Sequence, residues 1–119
     1  MERKVWVAHK KPGRSQPDWN LKKAETFGEV KILMEDIDAR VNIFKDGKLT
    51  YRLYQKLKKS TPDDLVLLSG DRIPVAMVVS IFVQLHGKIN VLFWNQKKNR
   101  YEIRKNFTSI EKYLEKESS

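Results

Sequence analysis

The sequence predicts an α/β fold: one domain over residues 1–119, with a mostly parallel sheet of about five strands, helices on both faces and a C-terminal antiparallel hairpin. Three observations carry this prediction. Segments of strand-like and helix-like periodicity alternate along the chain. The stretch Leu65 to Ser69 is short and apolar, as a strand covered on both faces must be. It runs through Gly70 and Pro74 into about a dozen further apolar residues that stop at Gly87, which is long for a strand and right for a buried helix.

Each element follows in order. Lys4 to His9 alternates, with Val5 and Val7 on one face and Trp6 on the other, and reads as the first strand. Asp18 caps a helix through Phe27, with Leu21, Ala24 and Phe27 at helical spacing and Gly28 as its stop. Val30 to Met34 is the second strand. Residues 35–48, EDIDARVNIFKDGK, have no clear period, and Asp46-Gly47 marks a turn. Leu49, Leu53 and Leu57 recur every fourth residue with Tyr54 beside them, so 49–59 predicts an amphipathic helix that ends at Ser60-Thr61-Pro62-Asp63. Leu65 to Ser69 is the third strand. Pro74 fits the first turn of the next helix, where the amide it lacks would have no partner, and Asp71 is its cap. This helix is apolar nearly all round and is expected to be the most buried element. Lys88 to Asn95 is the fourth strand, Gln96 to Asn99 a turn, and Tyr101 to Lys105 a strand that closes the hairpin. Thr108 and Glu111 form a capping box for a last helix to about Lys116. Strands joined through helices imply right-handed crossovers and a Rossmann-like sheet, with the hairpin as an antiparallel edge.

The chain has no cysteine, which excludes disulfides and cysteine-ligated zinc and points to a reducing compartment. Residues 1–15 hold no apolar stretch of signal-peptide length, and the apolar run Ile73 to Leu85 is too short to span a bilayer. A cytoplasmic protein with no membrane partner is expected. Lys and Arg number 24 against 15 Asp and Glu, a net charge of +9, which favours an anionic partner; solubility alone is the alternative.

In parallel sheets ligands gather beyond the carboxyl ends of the strands. The predicted anion- or nucleotide-binding set there is His9, Lys10, Lys11 and Arg14 after the first strand, Ser69, Gly70 and Arg72 after the third, and Asn95 after the fourth. Gly70 would admit a phosphate close to the backbone amides that open the following helix, with Ser69 and Arg72 as donors. Neither the dinucleotide fingerprint nor a P-loop lysine is present, so a tight structural corner is the alternative. His9 is placed either for acid–base work on a phosphodiester or simply as a strand-end histidine bonded to backbone. His86, at a helix carboxyl end, suits the helix dipole when partly charged. Glu35, Asp36 and Asp38 read as a solvated acidic loop. No catalytic residue, metal or cofactor is predicted.

The second set lies in 94-WNQKKNRYEIRK-105: Trp94, Lys97, Lys98, Arg100, Tyr101 and Arg104 as nucleic-acid-binding residues. Cations neutralise phosphates and aromatic faces stack on bases. Period two places Lys97, Asn99, Tyr101 and Ile103 on one face, and Lys98, Arg100, Glu102 and Arg104 on the other. The alternative is an exposed edge whose lysines prevent sheet-to-sheet pairing. Lys56, Lys58 and Lys59 close the second helix, where cations favour the dipole.

The run LVLLSG, the helix ending HGKINVLFW, the basic turn into RYEIRK, the opening KVWVAHK and the segment FGEVKILME together resemble small uncharacterised α/β proteins of bacteriophage and mobile-element genomes. That resemblance covers most of the chain and implies a context without a mechanism. A looser likeness, in LVLLSGDRIPVAMVVS, is to the CARF domains that sense cyclic oligonucleotides. It implies a nucleotide role for Ser69, Gly70 and Arg72 alone, since one glycine stands where many of those domains have two. The leading functional expectation is a small, non-catalytic, phage-type accessory protein that binds nucleic acid or a nucleic-acid-handling partner. The alternatives are a nucleotide sensor, sponge or ring-nuclease-like protein using the Ser69-Gly70 turn, and a metal-independent nuclease using His9. A host protein and a second copy of the chain are the further partners considered.

Overall fold

A computed structural model describes residues 3–10, 18–35, 48–70 and 72–118. The elements are β1 (Lys4–Val7), α1 (Asp18–Ala24, continued by a 3-10 turn at Glu25–Phe27), β2 (Glu29–Ile32), α2 (Lys48–Leu57), β3 (Leu65–Leu67), α3 (Arg72–His86), β4 (Asn90–Asn95), β5 (Arg100–Arg104) and α4 (Glu111–Ser118). The five strands form one sheet in the order β2-β1-β3-β4-β5. β1 runs parallel to β2 and β3, and β3 parallel to β4, while β5 returns antiparallel to β4. The predicted architecture therefore holds, with strand ends shifted by a residue or two.

Both faces of the sheet are covered, which is why its strands are apolar on both sides. Trp6, Val66 and Val91 face one layer, in which Leu49, Leu53 and Leu57 of α2 meet Val78, Ile81 and Phe82 of α3. Val5, Val7, Leu65, Leu67 and Leu92 face the other, under Leu21 and Ala24 of α1. The alternation read at Val5-Trp6-Val7 is thus real, with all three side chains buried.

Two expectations need correction. α3 is not buried all round: Pro74, Val78, Ile81 and Phe82 are buried, whereas Ile73, Ala76, Ser80 and Gln84 are exposed. It lies on the sheet as an outer layer, and one apolar stripe suffices to dock it. The last helix opens at Glu111, later than a cap at Thr108 would place it. The Phe107 amide donates to the Ile89 carbonyl at 2.8 Å and the Asn106 amide to Asn90 Oδ1 at 3.0 Å, so a turn is pinned to the start of β4 before any helix can begin. Asp71, Asp36, Asp38 and the Asp46-Gly47 turn lie outside the described residues.

The carboxylate of Asp64 joins the start of β1 to the turn before β3. Oδ1 accepts from the Lys4 amide at 3.0 Å and the Thr61 hydroxyl at 3.1 Å. Oδ2 accepts from Trp6 Nε1 and the Thr61 amide, both at 2.9 Å. Burial alone would raise the Asp64 pKa, but the bonds from Trp6, Lys4 and Thr61 outweigh it and hold the carboxyl below its ordinary value. Nearby, His86 Nε2 lies 2.7 Å from Ser60 Oγ, whose hydroxyl also donates to the Leu57 carbonyl. Burial pushes the His86 pKa down against the pull of Asp64, which works against the charged form at this helix end.

Asp64→Ala is expected to cost about 3 kcal/mol, because it leaves the buried Trp6 indole and Lys4 amide donors unsatisfied. Since the folded pKa lies below the ordinary 3.8, this stabilisation is complete above that pH and is lost as pH falls through the folded value. Urea unfolding between pH 7 and about 2 should show a fall in stability below about pH 4 that is shallower in Asp64→Asn.

Candidate functional site

The order 2-1-3-4-5 reverses direction between β1 and β3, and open α/β sheets take their ligands at such a point. His9 and Lys10 follow β1 there, and Ser69 and Gly70 follow β3. The structure brings them together, but as packing. Ser69 Oγ donates to the His9 carbonyl at 3.2 Å. Gly70 has φ +94°, and a Cβ on it would lie 2.4 Å from His9 Cβ and 2.6 Å from the His9 carbonyl oxygen. The close approach that glycine permits is made here to His9. His9 is itself fully buried. Its backbone is held by the continuation of the β1–β2 pairing, where the Lys10 amide donates to the Met34 carbonyl at 2.9 Å and Lys10 bridges to Glu35. Lys10 is half-buried and Arg72 exposed, on either side of this closed seam. Lys11 and Arg14 lie outside the described residues.

The hairpin belongs to the same end of the sheet. β4 runs parallel to β3, so Asn95 and the turn at 96–99 stand at the carboxyl rim beside Gly70 and Arg72. β1, β3, β4 and β5 are consecutive, so at about 4.8 Å per strand the rim from Lys10 to Arg100 is roughly 15 Å wide. Two sets that look unrelated in sequence thus become one edge.

The hairpin has its own counter-charge. Glu102 lies 3.7 Å from Lys98 and 3.5 Å from Arg100. A hydrogen bond from Asn95 is the main cause that holds its carboxyl below the ordinary range; burial opposes this, and Lys98 and Arg100 reinforce it. Asn95 Oδ1 also accepts from the Lys98 amide at 3.1 Å, and Asn99 adopts φ +55° to turn the chain back. Asn95 is accordingly the tie of the hairpin. Lys97, Lys98 and Arg100 are exposed at its tip.

The aromatic part of the prediction changes more. Tyr101 is only 8% exposed, and its ring meets Trp94 edge-on at 5.0 Å and Phe27 at 6.1 Å. Burial raises its hydroxyl pKa. It is a core residue under α1, with no face to offer a base. Trp94 is half-buried, with Lys23 Nζ 5.2 Å from its ring centroid. Arg104 lies at the far end of β5, about 14 Å from Arg100 at the usual rise per residue, and sits 5.9 Å over the Phe107 ring. It does not share the rim. Sequence reasoning missed Lys23 and the role of Glu102. Outward placement of Lys23 was implied by Leu21 and Ala24 pointing inward, but its meeting with Trp94 required the topology.

Among the described residues no three His, Asp or Glu side chains are grouped to hold a metal, and no helix is long and apolar enough to cross a membrane. The sequence pattern of the family described as phage Pam3 gp32-like protein matches residues 3–106, from the start of β1 through the hairpin, leaving α4 outside. No curated protein and no solved structure gives a significant match, and nothing found supports the CARF likeness.

Gly70→Ala is expected to destabilise the protein by roughly 2 kcal/mol or more, since a left-handed backbone and a displaced His9 each carry a cost. Arg72→Ala, an exposed change, should stay within about 0.5 kcal/mol of the parent. Paired urea titrations check both, and a tolerated Gly70→Ala would contradict the closed seam.

Proposed function

The chain belongs to the phage Pam3 gp32-like protein family, and from that premise we propose that it is a small, non-catalytic accessory protein that engages a nucleic-acid phosphate backbone along the carboxyl rim of its sheet. One observation carries the reading: the topology gathers Lys10, Arg72, Lys97, Lys98 and Arg100 along one edge of a chain whose net charge is +9. A broad basic edge suits a polyanion, whose affinity comes from many phosphate contacts. A mononucleotide asks for a concave site with convergent polar groups, and the switch point between β1 and β3 is filled by His9 against Gly70. Glu102 tempers the rim by holding Lys98 and Arg100, which keeps non-specific attraction in check.

Changing Lys97, Lys98 and Arg100 together to glutamine should flatten the plot of log affinity against log salt by about 2 on single-stranded oligonucleotides, at about 0.7 per lost contact. Glu102→Gln should act the other way, tightening binding and steepening the slope. Fluorescence anisotropy across a salt series reads both. A slope unchanged in the triple variant would mean that these cations only guard a sheet edge.

A further inference from the structure

The C-terminal segment carries an apolar stripe exposed to solvent. Phe107, Ile110, Tyr113 and Leu114 are 42%, 59%, 65% and 53% exposed. Their spacing of three and four places Tyr113 and Leu114 of α4 on the same side as Ile110, the residue just before it. A second exposed surface lies on α2. Its Leu49, Leu53 and Leu57 point inward, so Tyr51 and Tyr54 point out, 62% and 40% exposed, with their rings 6.5 Å apart.

The two surfaces are opposite in charge. Residues 48–59 contain Lys48, Arg52, Lys56, Lys58 and Lys59 and no acid, a net +5. Residues 107–119 contain Glu111, Glu115 and Glu117 against Lys112 and Lys116, a net −1 in a chain of +9. An acidic, apolar helix and a basic, aromatic helix on one molecule are complementary between molecules.

We infer that α4 of one copy docks on the tyrosine face of α2 in a second copy, and reciprocally, to give a twofold dimer. Ile110, Tyr113 and Leu114 cover Tyr51 and Tyr54, with Glu111 and Glu117 directed to Arg52 and Lys58. A twofold interface needs a self-complementary surface, and the pair of patches supplies it. Area supports the same occupant. Five large apolar side chains per copy, each with on the order of 100 Å² exposed, amount to roughly 1,000 Å² over two copies. That meets the roughly 1,000 Å² that a specific interface has to clear, which one patch alone would not.

Sedimentation velocity of the full chain, from low micromolar to several hundred micromolar, tests the dimer. A concentration-dependent dimer is expected, with a Tm that rises with protein concentration. Ile110→Asp combined with Leu114→Asp should give a monomer with an unchanged circular-dichroism spectrum, since both side chains are exposed in a single copy. Arg52→Glu with Lys58→Glu should weaken the dimer roughly tenfold or more, and adding Glu111→Lys and Glu117→Lys should restore it. A monomer at every concentration overturns the inference. So does a dimer indifferent to the Arg52 and Lys58 changes, which would place the contact elsewhere, or a charge reversal that fails to restore association.

Discussion

Asp64 fixes what the rest of the molecule builds on. β1 lies between β2 and β3 in the sheet, and the Asp64 carboxylate holds its first residues through the Lys4 amide and the Trp6 indole. Those bonds set the pairing of Val5 with Leu65, Trp6 with Val66 and Val7 with Leu67. A slip of one residue would send Trp6 to the α1 side and Val5 and Val7 to the α2–α3 side, exchanging a large ring for two small side chains in close-packed layers. The same register carries His9 to a place opposite Ser69 and Gly70. The packing of His9 on Gly70 is therefore tied to the hydrogen bonds of a carboxylate at the other end of the strand.

With the concave site closed, the chemistry at the carboxyl end is that of a surface. Surface charges are individually weak and screened, so a rim of lysines acts through number and spacing. The hairpin meets that requirement by construction. Asn95 and Asn99 hold the turn, Glu102 anchors two of the cations, and Tyr101 and Trp94 root the hairpin in the layer under α1. The aromatic residues thus serve the rim by stiffening it.

Local patterns in the sequence were readable where a single element decides them. The leucines of α2, the alternation of β1 and the turn between β4 and β5 all depend on near neighbours, and all appear as expected. What failed depends on partners far along the chain. Asp64 looks like the end of a turn, because its donors Lys4 and Trp6 lie 60 and 58 residues away. Tyr101 alternates correctly in β5, but alternation does not say which face α1 will cover. The capping signal at Thr108 is genuine and loses to Ile89 and Asn90, which pin the preceding turn. At Gly70 the residue type was read correctly as a close approach, while the identity of the approaching group was a tertiary fact. The coarse functional context, a phage protein family, was legible from the run of segments from KVWVAHK to RYEIRK; the ligand was not.

The rim and the α4 half of the proposed dimer contact stand at opposite ends of the strands. β5 runs down from the rim at Arg100 to Arg104 opposite Val91, and α4 starts beyond that end. Five or six residues of strand separate rim from tail by about 15–20 Å, roughly twice the screening length at physiological salt. A change in charge at the rim therefore has little reach to α4, and the reverse also holds. The proposed dimer contact uses no residue of the rim. Two basic edges on one assembly would then meet the same polyanion, and the second contact would form at the effective concentration set by the first. Weak, salt-sensitive rims become useful in that arrangement, because avidity multiplies contacts that singly would be lost to screening.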